Sequence, residues 1–163
     1  VFANMYTTGV PFIPATPTAC AGLTTGFITQ QTTQVTAQQI SVPGYSIGAT
    51  GKFIILHNWS YANSTNAKAT FLYFGGTQFY NISQAAAGAI SNEAQSFIEN
   101  RGVFNVQLLN NVSGNGGLGN GTPIPLTYGA VDTTVSQTFA MKMTIASNTD
   151  YVIAESFSIE ALY

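Results

Sequence analysis

The chain has 163 residues, enough for one domain with a substantial core, and its 12% aromatic content and positive mean hydropathy exclude a disordered chain. Only 6% of its residues are charged and its formal net charge is -2, so neither nucleic acid nor an anionic membrane surface is an expected partner. No apolar run approaches the roughly 18 residues that a membrane-spanning helix needs, so no membrane segment is predicted.

Residues 1–25 predict an extended N-terminal arm. Pro11, Pro14 and Pro17 recur at every third position, which favours an extended path with few hydrogen bonds of its own. A loose leader is one interpretation, and an arm laid across a neighbouring subunit is the other. Large apolar side chains favour docking outside the chain's own core, on another subunit or on a capsid shell. These candidate contact residues are Phe2, Tyr6, Phe12 and Ile13.

From residue 26 onward, the pattern is that of short strands separated by turns. Apolar and other side chains alternate along 52–61, and 68–74 is a second strongly apolar strand. Residues 110–125 are rich in glycine and typical of a long loop. About eight strands and no helical period predict an all-β fold. We expect an antiparallel β-sandwich of jelly-roll type over residues 26–163, preceded by the extended N-terminal arm.

The last two strands are predicted to close the core. Residues 136–162 hold two alternating segments separated by turn residues at 147–150. We expect these segments to pair as an antiparallel hairpin with one apolar face. The predicted core positions are Phe139, Met141, Met143, Ile145, Ile153, Phe157 and Ile159.

The chain lacks the residue types that enzymatic catalysis needs. The single histidine, His57, alternates with Ile55 and Trp59 on one strand face, which is typical of a packed histidine rather than a proton acceptor. The single cysteine, Cys20, excludes an intrachain disulfide and has no basic neighbour that would activate it. The six carboxylates are scattered and do not have the spacing of a metal site. No catalytic residue, metal or other cofactor is predicted.

Three aromatic residues are candidate glycan contacts. Trp59, Tyr61 and Tyr73 would form a platform for sugar rings if the strands that carry them are neighbours. The alternative, favoured by their position on apolar strands, is that they belong to the core.

The turn residues between the predicted strands resemble those of virion proteins of tailed bacteriophages. The run VPGYSIGATGK at 42–52 precedes a strand, NAKAT at 66–70 and FGGT at 74–77 follow it, and VDTT at 131–134 precedes the closing strands. The resemblance extends over roughly residues 39–163. It implies trimeric jelly-roll domains on phage tails or capsids, and it transfers no site residues.

The low charge points the same way, because a weakly charged surface favours association. We therefore expect a homotrimer on the virion surface. If the chain begins at Val1, it has no shaft to mount it on a tail, which favours a role on the capsid. The preferred role is therefore a capsid decoration, or cement, protein that binds the major capsid protein through its arm and stabilises the particle. The alternative is the receptor-binding tip of a longer tail fibre or tailspike, which would bind a host surface glycan. A hydrolase is excluded by the poor inventory of acids and bases.

Overall fold

The computed structural model describes residues 3–8, 27–29, 32–85, 87–88, 91–113 and 127–163. The strands in these ranges are β1 (Ala3–Thr8), β2 (Phe27–Thr29), β3 (Val35–Val42), β4 (Lys52–Tyr61), β5 (Lys68–Phe74), β6 (Thr77–Gln84), β7 (Ser91–Asn100), β8 (Gln107–Ser113), β9 (Thr127–Gly129), β10 (Gln137–Ile145) and β11 (Tyr151–Leu162). Within the same ranges, no helix could span a membrane.

The strands form two antiparallel sheets that pack as a sandwich. The larger sheet has the order β1-β11-β4-β7-β8-β9, with β2 also paired to β11, and the smaller sheet has the order β3-β10-β5-β6. The last two strands interleave with the earlier ones, since β10 lies between β3 and β5 while β11 lies between β1 and β4. Two antiparallel sheets packed face to face form an antiparallel β-sandwich. The predicted all-β sandwich is therefore confirmed.

The core lies between the two sheets and follows directly from period-two alternation. On β4, alternate residues from Phe53 to Tyr61 are buried and those between them face outward. Phe53 packs edge-on against Phe74 and Phe139 of the smaller sheet, with ring centroids 5.5 and 5.0 Å apart. These aromatic contacts join β4 to β5 and β10 across the core. All seven core positions predicted from the closing strands are buried.

The expected closing hairpin is wrong in its pairing. β10 pairs with β3 and β5, whereas β11 pairs with β1, β2 and β4, so the two strands lie in opposite sheets. The turn at 146–150 therefore crosses the sandwich. Alternation cannot distinguish the two arrangements, because a hairpin and a crossover both bury the same face of each strand.

A bulge in β11 changes which residues point inward. The register with β4 shifts between Ala154 and Ser156. Before the shift, Val152 and Ala154 are opposite the buried Tyr61 and Trp59, so these two face the core. Ile153 is opposite Ser60 and lies on the other face of the sheet, although it is also buried. Its burial is as predicted, but its assignment to the same face as Phe157 is wrong.

Part of the predicted arm belongs to the sandwich. Residues Ala3 to Thr8 pair with β11 along six positions, as an added strand of the larger sheet. This stretch therefore pairs with the chain's own sheet, and docking of the arm on another subunit or on a capsid shell stays a prediction. The physical reason for the pairing is that the prolines begin at Pro11, so nothing prevents this backbone from forming a ladder. Tyr6 lies in β1, whereas Phe2, Phe12 and Ile13 lie outside the described residues.

Candidate binding site at one end of the sandwich

Three loops meet at one end of the sandwich: 43–51 after β3, 101–106 after β7, and 130–136 before β10. The amide of Tyr45 donates to the carbonyl of Thr133 at 2.8 Å, and the amide of Gly102 donates to the carbonyl of Ala49 at 2.9 Å. A side chain at Gly44 would collide with the carbonyl of Thr134, so the first and third loops pack backbone to backbone. We call these three loops, together with Tyr163, the loop end.

A buried polar network fixes the loop end from beneath. The side-chain amide of Gln107 donates to Asn100 Oδ1 at 2.9 Å and to the carbonyl of Val131 at 2.8 Å, and its oxygen accepts from the amide of Val131 at 2.7 Å. Asn100 Nδ2 donates to the carbonyl of Gly48 and to Thr133 Oγ1, both at 2.9 Å. Each of the three loops is therefore bonded to a buried side chain on a strand. Fully satisfied networks of this kind hold backbone rigidly.

Tyr45 is the most unusual residue of the loop end. Its side chain is 61% exposed, and its backbone has a φ of 59°, in the left-handed region that bulky residues rarely adopt. Its ring stands edge-on to Phe104, with centroids 5.5 Å apart. A glycine would adopt this backbone conformation at lower cost. An exposed aromatic ring in a strained backbone position is characteristic of a functional site.

Tyr163 adds a second exposed aromatic ring beside the first. Its side chain is 71% exposed, and its hydroxyl donates to the backbone carbonyl of Tyr45 at 3.3 Å. Val103, Val106 and Val135 are exposed on the surrounding loops. The loop end thus presents two exposed tyrosine rings, and its loops also carry three exposed valines.

Asp132 supplies a negative charge at the same place. It precedes Thr133, the backbone partner of Tyr45, and is exposed. Its carboxylate accepts hydrogen bonds from the Thr134 amide at 2.9 Å and the Thr134 hydroxyl at 2.6 Å, and these bonds lower the pKa of Asp132 below its usual value. The carboxylate is therefore ionised at neutral pH, and its remaining lone pairs are available to a ligand.

The residues named from the sequence as a glycan platform do not come together. Trp59 and Tyr61 are 1% and 2% exposed and belong to the core, which is the alternative favoured above. Tyr73 is half-buried on the smaller sheet, where Lys142 Nζ lies 4.1 Å from its ring centroid. The platform required β4 and β5 to be neighbours, whereas they lie in opposite sheets.

His57 is also part of the core. Its ring stacks on Trp59 with centroids 4.8 Å apart, and the hydroxyl of Tyr80 lies 2.9 Å from Nδ1 and 2.6 Å from Nε2. Burial lowers the pKa of His57 to about 3, because the surroundings disfavour the charged ring. The ring is neutral and inaccessible to solvent, so it offers no acid or base to a ligand. Among the described residues, no group of three or more His, Cys, Asp and Glu side chains could hold a metal ion.

Sequence reasoning missed Tyr45, Tyr163 and Asp132. One local signal was present, since Tyr45 follows the turn pair Pro43-Gly44 and aromatic residues on turns are exposed more often than those on strands. Nothing in the sequence places the three residues together, because they are separated along the chain and meet only through the connections that cross between the two sheets.

The chain matches no protein-family model and no curated protein. Solved structures similar to it include the CBM2 module of the evolved Dit of Lactobacillus casei BL23 phage J-1, with 7% identity over 75% of this chain and 67% of that one and a TM-score of 0.40. Basic winged bean lectin with Tn-antigen has 12% identity, 77% coverage of each chain and a TM-score of 0.35. Winged bean acidic lectin complexed with methyl-alpha-D-galactose has 8% identity, covers 98% of this chain and 86% of that one, and has a TM-score of 0.38. Because all three TM-scores are low, we base the function on the chain's own residues.

Proposed function

We propose that this chain is a non-enzymatic, glycan-binding β-sandwich of a tailed-phage virion, and that the loop end is its binding site. The observation that carries the proposal is the pair of exposed tyrosine rings, Tyr45 and Tyr163, at the same end of the sandwich as the ionised Asp132. The buried network around Asn100 and Gln107 supports all three loops, so the site is formed before a ligand arrives.

The chemistry of a sugar fits this surface. A pyranose ring has an apolar face of C–H groups and a rim of hydroxyls. Tyrosine offers a large apolar ring with a polar tip, and Asp132 accepts hydrogen bonds from hydroxyl groups. The tyrosine rings and valines of the loop end are exposed at the surface, which favours a shallow contact with part of an extended glycan over enclosure of a small molecule.

The lack of accessible acid–base chemistry supports binding rather than hydrolysis. A hydrolytic site needs a proton acceptor next to the ligand, and His57 is enclosed in the core with a pKa of about 3. Glycoside hydrolysis needs two carboxyl groups flanking the scissile bond. At the loop end, the hydrogen bonds from Thr134 lower the pKa of Asp132, so this carboxylate is not the protonated acid that such a reaction requires.

The virion setting rests on the resemblance of residues 39–163 to phage virion proteins. A homotrimer at the particle surface accords with the low charge of the chain. Exposed Leu56 and Tyr128, both on strands of the larger sheet, are apolar surface of the kind that subunit contacts cover.

A second candidate function is capsid decoration. The observation that favours it is the set of exposed valines at the loop end, Val103, Val106 and Val135, because apolar patches of this kind also bind proteins. The two functions differ in their target, which is the major capsid protein in one case and a host surface glycan in the other. Occupancy of purified particles by the added protein, measured with and without competing glycans, distinguishes them.

The glycan-binding proposal is tested on an array of neutral, amino and acidic oligosaccharides, followed by calorimetric titration of the tightest binder. We expect Tyr45→Ala to weaken binding about tenfold, since loss of one stacked ring is worth about 1.4 kcal/mol. The matched control is Tyr151→Ala, because Tyr151 begins β11 and lies at the opposite end of that strand from Tyr163. It should bind within about twofold of wild type. A blank array, or equal losses in both variants, would contradict the proposal.

A further inference from the structure

We propose that the loop end selects glycans by charge: it binds neutral or amino-substituted sugars and rejects carboxylated or sulfated ones. This inference rests on the proposed function and names its ligand class. It starts from the position of Asp132, whose neighbour Thr133 is bonded through the backbone to Tyr45. The exposed Asp132 carboxylate and the exposed Tyr45 ring are therefore on backbone segments that contact each other at the same end of the sandwich.

None of the chain's lysine and arginine side chains is an unpaired cation within the three loops. The chain has four Lys and Arg residues, and all four lie in the described ranges. Lys68 is buried, where its Nζ lies 3.6 Å from Asp150 Oδ2 and donates to the carbonyl of Ser64 at 2.8 Å. Lys142 lies over the Tyr73 ring on the smaller sheet, and Lys52 lies 5.7 Å from the Phe97 ring centroid on the larger sheet.

Lys52 begins β4 directly after loop 43–51, but its Nζ is directed toward Phe97, which is opposite Ile54 and so lies further from the loop. The fourth cation, Arg101, lies within loop 101–106 itself. Its Nη1 lies 3.2 Å from Glu99 Oε1, so the pair contributes no net positive charge. The loop end is thus left with the charge of Asp132. Recognition of an acidic sugar would need a free guanidinium or ammonium group, and here the acid would face another carboxylate.

The three ligand classes should therefore separate in order. A neutral hydroxyl donates to the carboxylate, an ammonium group adds a favourable charge, and a second carboxylate repels it. Because Asp132 is exposed, salt screens the charge interaction, so discrimination is greatest at low ionic strength. The sequence alone could not give this order, since its net charge of -2 says nothing about where each charge lies.

The experiment uses matched oligosaccharides of one backbone that differ only in the oxidation state of C6. This carbon is a hydroxymethyl group in the neutral set and a carboxylate in the acidic set. At about 20 mM salt, we expect wild type to bind the neutral set at least about tenfold more tightly than the acidic set. In Asp132→Asn the ratio of the affinity for the neutral set to that for the acidic set should fall to about threefold or less, because the amide retains an acceptor and loses the charge. A third set with an ammonium group at C2 should bind at least as well as the neutral set.

The control is Glu93→Gln, which removes one negative charge near the start of β7, at the opposite end of that strand from loop 101–106. It should leave the neutral-to-acidic ratio at its wild-type value, since the change in net charge is the same but the site is unaltered. If wild type binds the acidic set as tightly as the neutral set, or if Asp132→Asn leaves the ratio unchanged, charge selection is wrong and glycan binding stands. If none of the three sets binds and the wider array is also blank, the proposed function fails and the inference fails with it.

Discussion

At the scale of single residues, His57 shows how the core contains a titratable side chain without giving it a role in binding. Its ring is 1% exposed and lies between Trp59 and Tyr80, with which it stacks. Burial lowers its pKa to about 3, whereas an unfolded histidine titrates near 6.5. The folded state therefore takes up a proton less readily than the unfolded state, and acid favours unfolding through this residue.

This difference predicts a specific pH dependence of stability. The folded pKa is the lower one, so the stability is fully present above about pH 6.5 and is lost as the pH falls toward 3. Between about pH 7.5 and 5.5, the free energy of unfolding should fall by about 1.4 kcal/mol. Urea denaturation at the two pH values measures this loss. In His57→Gln the pH-dependent loss should be absent, whatever the stability of the variant; an equal loss there would assign it to other groups.

At the scale of elements, period-two alternation predicted the strands and their buried faces but not their partners. The core positions on β10 and the strong apolar run of β4 follow from sequence alone, because every second side chain of a half-buried strand must avoid water. The pairing of β10 with β3 and β5 does not follow, since it depends on which connections cross the sandwich. The bulge in β11 was also not predictable, because one extra residue leaves the composition of the strand unchanged.

The two faces of β10 predict contrasting effects of the same new side chain. Met143 is fully buried, so Met143→Asp should cost about 3–5 kcal/mol, since it places an unpaired charge in the core. Lys142 is its neighbour on the outward face, over the Tyr73 ring, and Lys142→Asp should cost about 1 kcal/mol or less. Urea denaturation of both variants gives the comparison. Equal costs would mean that the assigned faces of β10 are wrong.

At the scale of the whole molecule, the binding site was harder to predict than the fold. The fold is indicated by several strands independently, since each of them shows its own period-two alternation. The site depends on Tyr45, Asp132 and Tyr163, which are brought together by tertiary structure alone. The aromatic strand residues that attracted attention in the sequence, Trp59 and Tyr61, are buried for the same reason that they form strands.

The assembly state is a prediction at this scale as well. Sedimentation at micromolar concentration should show a mass three times the 17.2 kDa of one chain. Each contact between subunits should bury more than about 1,000 Å², as stable interfaces do. The basis is the low fraction of charged residues together with the resemblance to trimeric virion domains. A monomer under these conditions would exclude the trimer and leave the proposed glycan site intact, because every residue of that site comes from one chain.

The buried network under the loop end has a consequence for how a ligand would be held. A flexible loop must lose conformational entropy when it closes on its target, and that loss weakens binding. Here Asn100 and Gln107 already hold the loops that carry Tyr45 and Asp132 before any ligand arrives. For the proposed glycan ligand, the ordering cost of binding therefore falls on the glycan chain. Stiff, branched or crowded glycans on a cell surface lose less freedom than the same sugars in solution, so the proposed site would be better suited to a dense sugar coat than to a free oligosaccharide.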